Sequence, residues 1–140
     1  MSSGADIERV GAGTFDHTLH GGSGRTTIQF HFAGEMEMPV AVQTWVLEPG
    51  ASEGTHAHDR GGQELEEFYL VLSGEAEMHL DGTLHILHPG DSALCPPAAR
   101  RGVANPGPDE LRLLVVWGPP GAADFSGFGT YQKALVARGS

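Results

Sequence analysis

GASEGTHAHDRGGQELEEFYLVLSG, residues 50–74, decides how the rest of the chain reads. It holds His56 and His58 two positions apart, Glu67 at the start of an apolar run and Gly74 at that run's end. Along an extended strand successive side chains alternate faces, so the two imidazoles point the same way. Glu67 opens Phe68-Tyr69-Leu70-Val71-Leu72, the kind of run that a strand in a buried sheet uses. A carboxylate at the mouth of such a run is costly unless it is paired or bound to a metal. Two histidines with a carboxylate from the neighbouring strand suit a divalent transition metal and leave coordination positions open. His56, His58 and Glu67 are therefore the expected metal ligands, in a site that reads as catalytic more than structural. Tyr69 shares a face with Glu67 and is a candidate catalytic proton donor or substrate contact. Gln63 and Glu64 sit in the loop that would reach the same mouth.

The frame around these residues resembles the cupin family. That family's first motif is a Gly, five residues, His-x-His, a spacer, Glu, six residues and a Gly. Gly50, His56, His58, Glu67 and Gly74 match it, with eight residues in the spacer (Asp59 to Glu66) where three or four are usual. The extra residues, around Arg60-Gly61-Gly62-Gln63, read as a widened hairpin loop. A second, altered motif follows: the turn Pro89-Gly90-Asp91, then Pro96 to Asn105. Aligned on Pro96 and Asn105, it puts Arg101 where the family places a fourth ligand, a His, and Ala98 where it places a Gly. The resemblance spans about Val40 to Trp117. It implies a double-stranded β-helix, or jelly-roll barrel, with chemistry in its interior.

Arg101 leaves three readings open. A guanidinium is always protonated and cannot ligate a metal. The metal sits on His56, His58 and Glu67 alone, with Arg101 gripping an anionic substrate group by bidentate hydrogen bonds. Or the metal is lost and the barrel binds a small metabolite, as a sensor or carrier. Or the register is off by one, with Arg100 inward and Arg101 outside. In the first case the cofactor is Fe, Mn, Ni or Zn. A redox-active metal implies dioxygenase chemistry; a Lewis-acid metal implies isomerase, cyclase or lyase chemistry.

Composition sets the outer bounds. A chain of 140 residues is one domain's worth and can close a core without disulfides. Gly (21) and Pro (9) suit many short strands joined by turns. The single Cys95 excludes an internal disulfide, and the N-terminus does not resemble a signal peptide, so a cytoplasmic setting is expected. No apolar run approaches the ~20 residues of a membrane span. A formal charge of −10 argues against nucleic acid or an anionic membrane as partner and leaves a small-molecule substrate.

An all-β single domain follows from the alternation. Residues 1–24 are Gly-rich and polar, a flexible arm or a strand swapped onto a partner. Residues 25–118 form the barrel, with strands expected at Thr26–Phe32, Met38–Leu47, the His56–His58 segment, Phe68–Leu72, Ala76–Leu80, Thr83–Leu87, Ser92–Cys95, Gly102–Ala104 and Leu111–Trp117. Asp81-Gly82 marks a hairpin. Residues 119–140 carry Phe125, Phe128 and Tyr131, and read as a lid or interface segment. His17 and His20 are expected in solvent, His31 outward, His79 and His85 facing each other across the hairpin, and His88 as a reserve ligand. Pairing of edge strands implies a homodimer.

Overall fold

A computed structural model describes residues 4–58, 64–121 and 123–139. Among them lie β1 (Phe15–His17), β2 (Thr26–Phe30), β3 (Ala41–Leu47), β4 (Glu66–Ser73), β5 (Ala76–Leu80), β6 (Thr83–Leu87), β7 (Ser92–Cys95), β8 (Arg101–Ala104), β9 (Leu111–Gly118) and the helix α1 (Gly129–Ala137). The strands form two antiparallel sheets, ordered β1-β2-β3-β9-β4-β7 and β6-β5-β8. The all-β jelly-roll expectation holds.

Period-two alternation explains which residues face inward. On β3, Ala41, Gln43, Trp45 and Leu47 are buried while Val42, Thr44 and Val46 are only partly covered. On β4 the buried face is Glu67, Tyr69 and Val71, and on β9 it includes Leu111, Leu113 and Val115. Trp45, Leu47, Tyr69, Val71 and the three β9 residues meet Ile28, Met78 and Val103 in one apolar cluster. Asp81 and Gly82 take φ of 48° and 84°, which the tight β5–β6 turn requires and Asp-Gly supplies. The register pairs His79 with Leu84 and Met78 with His85, so the two histidines are not opposite each other.

Four local readings change. β2 stops at Phe30, because Phe32 takes a φ of 51° and turns the chain. β3 starts at Ala41, after Pro39, which has no N–H to give a ladder. The His56–His58 segment is extended but not a regular strand. It runs along β8 through Glu53 N to Val103 O (2.7 Å), a two-way pairing of His56 with Arg101, and His58 N to Pro97 O (2.9 Å). The C-terminal tail forms α1, which buries none of its residues.

The N-terminal segment is tied to its own barrel. β1 pairs with β2 in the register Phe15↔Ile28 to His17↔Thr26, and the Gly11 amide donates to Gln29 Oε1 at 2.9 Å. No helix among the described residues is long and apolar enough to cross a membrane.

Candidate metal centre

His56 and His58 converge as their alternation requires: their Nε2 atoms are 3.1 Å apart. His56 Nδ1 lies 2.8 Å from the Gly54 carbonyl oxygen. A carbonyl only accepts, so Nδ1 carries the hydrogen and the Nε2 lone pair faces the site. Burial pulls the His56 imidazole down to about 4, against the Gly54 hydrogen bond and with His20 and His58 adding to the fall. A neutral imidazole is the form that binds metal.

Glu67 reaches the same point from β4. Its Oε1 stands 3.5 Å from His58 Nε2 and 4.0 Å from His56 Nε2. Metal bonds of about 2.1 Å put neighbouring ligands about 3.0 Å apart in an octahedron and about 3.4 Å apart in a tetrahedron. The three expected donors therefore fit one divalent ion with small approaches of the side chains, and the nitrogen–oxygen set suits Fe, Mn, Ni or Zn.

Two residues beyond the sequence reading join this group. Glu53 is buried beneath the imidazoles, with Oε2 3.7 Å from His56 Nε2. The Tyr69 hydroxyl lies 2.7 Å from Glu67 Oε1 and 3.0 Å from Glu53 Oε1. A phenol has one hydrogen to donate. Burial, and next the charge of Glu67, push the Glu53 carboxyl well above the usual carboxylate range. The one phenol hydrogen thus faces two carboxyl oxygens, Glu67 Oε1 at the shorter distance and Glu53 Oε1 at the longer. Glu53 sits in the irregular extended segment three residues before His56, its amide bonded to the Val103 carbonyl, in a stretch too irregular for periodicity to signal an inward side chain.

The second is His20. Its ring stacks on His56 with centroids 3.6 Å apart and planes 14° apart, and meets His58 edge-on at 5.8 Å. It was expected in solvent; its ring instead lies against the two histidines expected as ligands. Burial, then the charge of His58, lower its affinity for a proton.

Arg101 points inward and is fully buried. Its Nη2 donates to the carbonyls of Cys95 (2.8 Å) and Pro96 (2.9 Å), and its Nε stands 3.7 Å from Glu67 Oε1. Nε and Nη1 have no hydrogen-bond partner among the described residues. The off-by-one reading, with Arg101 outside, is thereby corrected: β8 starts at Arg101 and its pairing with Leu80 turns the side chain into the barrel.

The remaining candidates lie elsewhere. His88 is exposed beside Glu75 and Asp91, 3.5 and 3.9 Å away, and is no part of the cluster. His31 bonds Thr44 Oγ1 at 2.7 Å. Glu64 is exposed, and Gln63 lies outside the described residues.

A family model described as the cupin domain matches residues 43–117. Among solved structures, the chain is similar to a predicted oxalate decarboxylase from Thermotoga maritima, at 24% identity and TM-score 0.70, over 76% of this chain and 92% of that one. It is also similar to a cupin 2 conserved barrel domain protein from Salinispora arenicola, at 22% identity and TM-score 0.63, over 93% and 98%. A sugar phosphate isomerase of the cupin superfamily from Silicibacter pomeroyi aligns at 25% identity and TM-score 0.59, over 68% and 60%. No curated protein sequence matches significantly.

Proposed function

This chain belongs to the cupin family, and from that premise we propose that it is a metal-dependent enzyme of small molecules that works by Lewis-acid proton transfer, as an isomerase, cyclase or lyase. The observation that carries this reading is the convergence of His56 Nε2, His58 Nε2 and Glu67 Oε1 within 3.1 to 4.0 Å, with the buried Glu53 carboxyl 3.7 Å from His56 Nε2. A divalent ion held there polarises a substrate carbonyl or acidifies a bound water. Fe, Mn, Ni and Zn all suit the donors, and the dioxygenase variant of the reading differs only in the metal.

The chain's own residues supply the rest. Glu53 brings a carboxyl whose proton affinity burial raises, its Oε2 3.7 Å from His56 Nε2. Tyr69 links Glu53 to Glu67, so it positions both carboxyl groups and passes on a change in the protonation of either. Arg101 restrains Glu67 and keeps the three N–H donors of Nε and Nη1 for an anionic substrate group. The neighbours fit this class, one being described as a predicted oxalate decarboxylase and another as a sugar phosphate isomerase. A cytoplasmic homodimer completes the reading. It is supported by one buried, unpaired Cys95 and by apolar Leu84 and Ile86 exposed on β6 at a sheet edge.

A second reading, a metal-free barrel that binds a metabolite, draws on the guanidinium beside Glu67, which offers the carboxylate a cation without any metal. One experiment separates the readings. Metal-loaded protein is incubated in D2O with small carbonyl compounds, hydroxy acids, oxalate and sugar phosphates, while oxygen uptake is followed. Chelator-sensitive turnover or solvent-deuterium incorporation without oxygen uptake is expected. Oxygen consumption would replace Lewis-acid chemistry with oxidation. Ligand binding without turnover, unaffected by chelator, would favour the metabolite-binding barrel.

A further inference from the structure

We propose that His20, from the loop ahead of β2, is a further ligand of this metal and takes the role that Arg101 cannot fill. The inference rests on the metal-dependent reading of the site. A site built on His56, His58 and Glu67 has room for another donor, and the residue at the fourth-ligand position of the resemblance is a buried guanidinium with no lone pair. His20 is the other imidazole that the fold brings to the same place: one ring nitrogen each from His20, His56 and His58 lie within 4.8 Å of one another. His20 is also the most exposed of the three, so a nitrogen arriving from this loop closes the solvent side of the site, opposite the buried carboxylates.

Its position is constructed, not incidental. His20 takes a φ of 50°, a left-handed conformation that a side chain with a Cβ rarely adopts unless its surroundings fix it. The fixing contacts are backbone to backbone, between residues 19–24 and the segment that carries the ligands. The amides of Gly22 and Gly54 both donate to the Leu19 carbonyl at 2.9 Å, and the Ser52 amide donates to the Ser23 carbonyl at 2.8 Å. The Ser23 hydroxyl reaches the Gly50 carbonyl at 3.1 Å. A Cβ on Gly54 would collide with the His20 carbonyl oxygen, and one on Gly22 with the Ser52 carbonyl oxygen. Two glycines thus permit an approach that other residues would block, and that approach sets the His20 ring over His56.

Two imidazoles stacked 3.6 Å apart with planes 14° apart cannot both aim their in-plane lone pairs at one ion, so coordination requires the His20 ring to turn out of the stack. The stack by itself is an aromatic cover, and the test separates ring from nitrogen. His20→Phe keeps the ring and removes the donor; His20→Ala removes both. Zn(II) affinity is measured by competition with a chromophoric chelator, and the imidazoles bound to Cu(II) are counted by pulsed electron paramagnetic resonance. Apo-protein melting confirms that each variant folds. Three imidazoles are expected in the wild type and two in His20→Phe. Zn(II) binding should weaken in both variants by at least the ~10–100-fold that loss of an outer-shell partner costs. Two imidazoles in the wild type, with His20→Phe binding Zn(II) like wild type and His56→Ala losing it, would overturn the His20 assignment and leave the metal reading intact. Absence of Zn(II) and Cu(II) binding in the wild type would overturn both.

Discussion

At the scale of single residues, the site depends on how two carboxyl groups and one guanidinium share a dry space. Glu53 and Glu67 flank one phenol, and burial, then the charge of Glu67, raise the affinity of Glu53 for a proton. The folded-state pKa of Glu53 is raised above 4.5, so its contribution to stability is present below pH 4.5 and is lost as pH rises through the folded value. Glu53→Gln cannot titrate. The metal-free variant should gain on wild type as pH rises from 4.5 toward neutrality, by about 1.4 kcal/mol for each pH unit crossed in that window. Thermal melts of chelator-treated protein across pH test this; parallel curves would contradict it. Arg101 answers the remaining charge. Arg101→Leu strands Glu67 and the carbonyls of Cys95 and Pro96, which should cost about 3–5 kcal/mol in denaturant unfolding. Arg101→Lys keeps the charge and should cost less. Equal losses would mean that the charge near Glu67 is not what the fold requires.

At the scale of elements, the barrel was legible because its strands obey a simple period. The inward set of β3 and the shared face of Glu67 and Tyr69 follow from alternation alone, and the Asp-Gly hairpin from turn chemistry. Loop-borne parts of the site were not legible. His20 lies in a turn and Glu53 in an irregular extended segment, where direction is set by docking between distant segments, and no local pattern encodes that. The glycines at 22 and 54 were visible as residues but not as a contact, since their role appears only when residues 19–24 lie on residues 50–54. α1 was missed because an exposed helix lacks the apolar stripe that core packing writes into a sequence. The docking itself is testable. Gly54→Ala should destabilise the protein by about 1–3 kcal/mol through a backbone collision. Gly121→Ala, with nothing within 4 Å of the added methyl, should stay within about 0.5 kcal/mol of wild type. Equal stability of the two variants would contradict the docked arrangement.

At the scale of the whole molecule, a closed β core leaves apolar surface outside it. Leu84 and Ile86 on β6, and Phe125 and Phe128 ahead of α1, are well exposed, and α1 itself buries nothing. On the proposed reading a second copy covers this surface, so sedimentation velocity should give a dimer at micromolar concentration; a monomer would contradict this. The central claim is that this barrel holds a metal between His56, His58 and Glu67 although Arg101 stands at the fourth-ligand position. It is tested most directly by plasma mass spectrometry of protein purified without a polyhistidine tag, beside His56→Ala. The account predicts about one equivalent of iron, manganese, nickel or zinc per chain, lost in the variant. A wild-type protein that carries no metal and takes up none when it is added would contradict it.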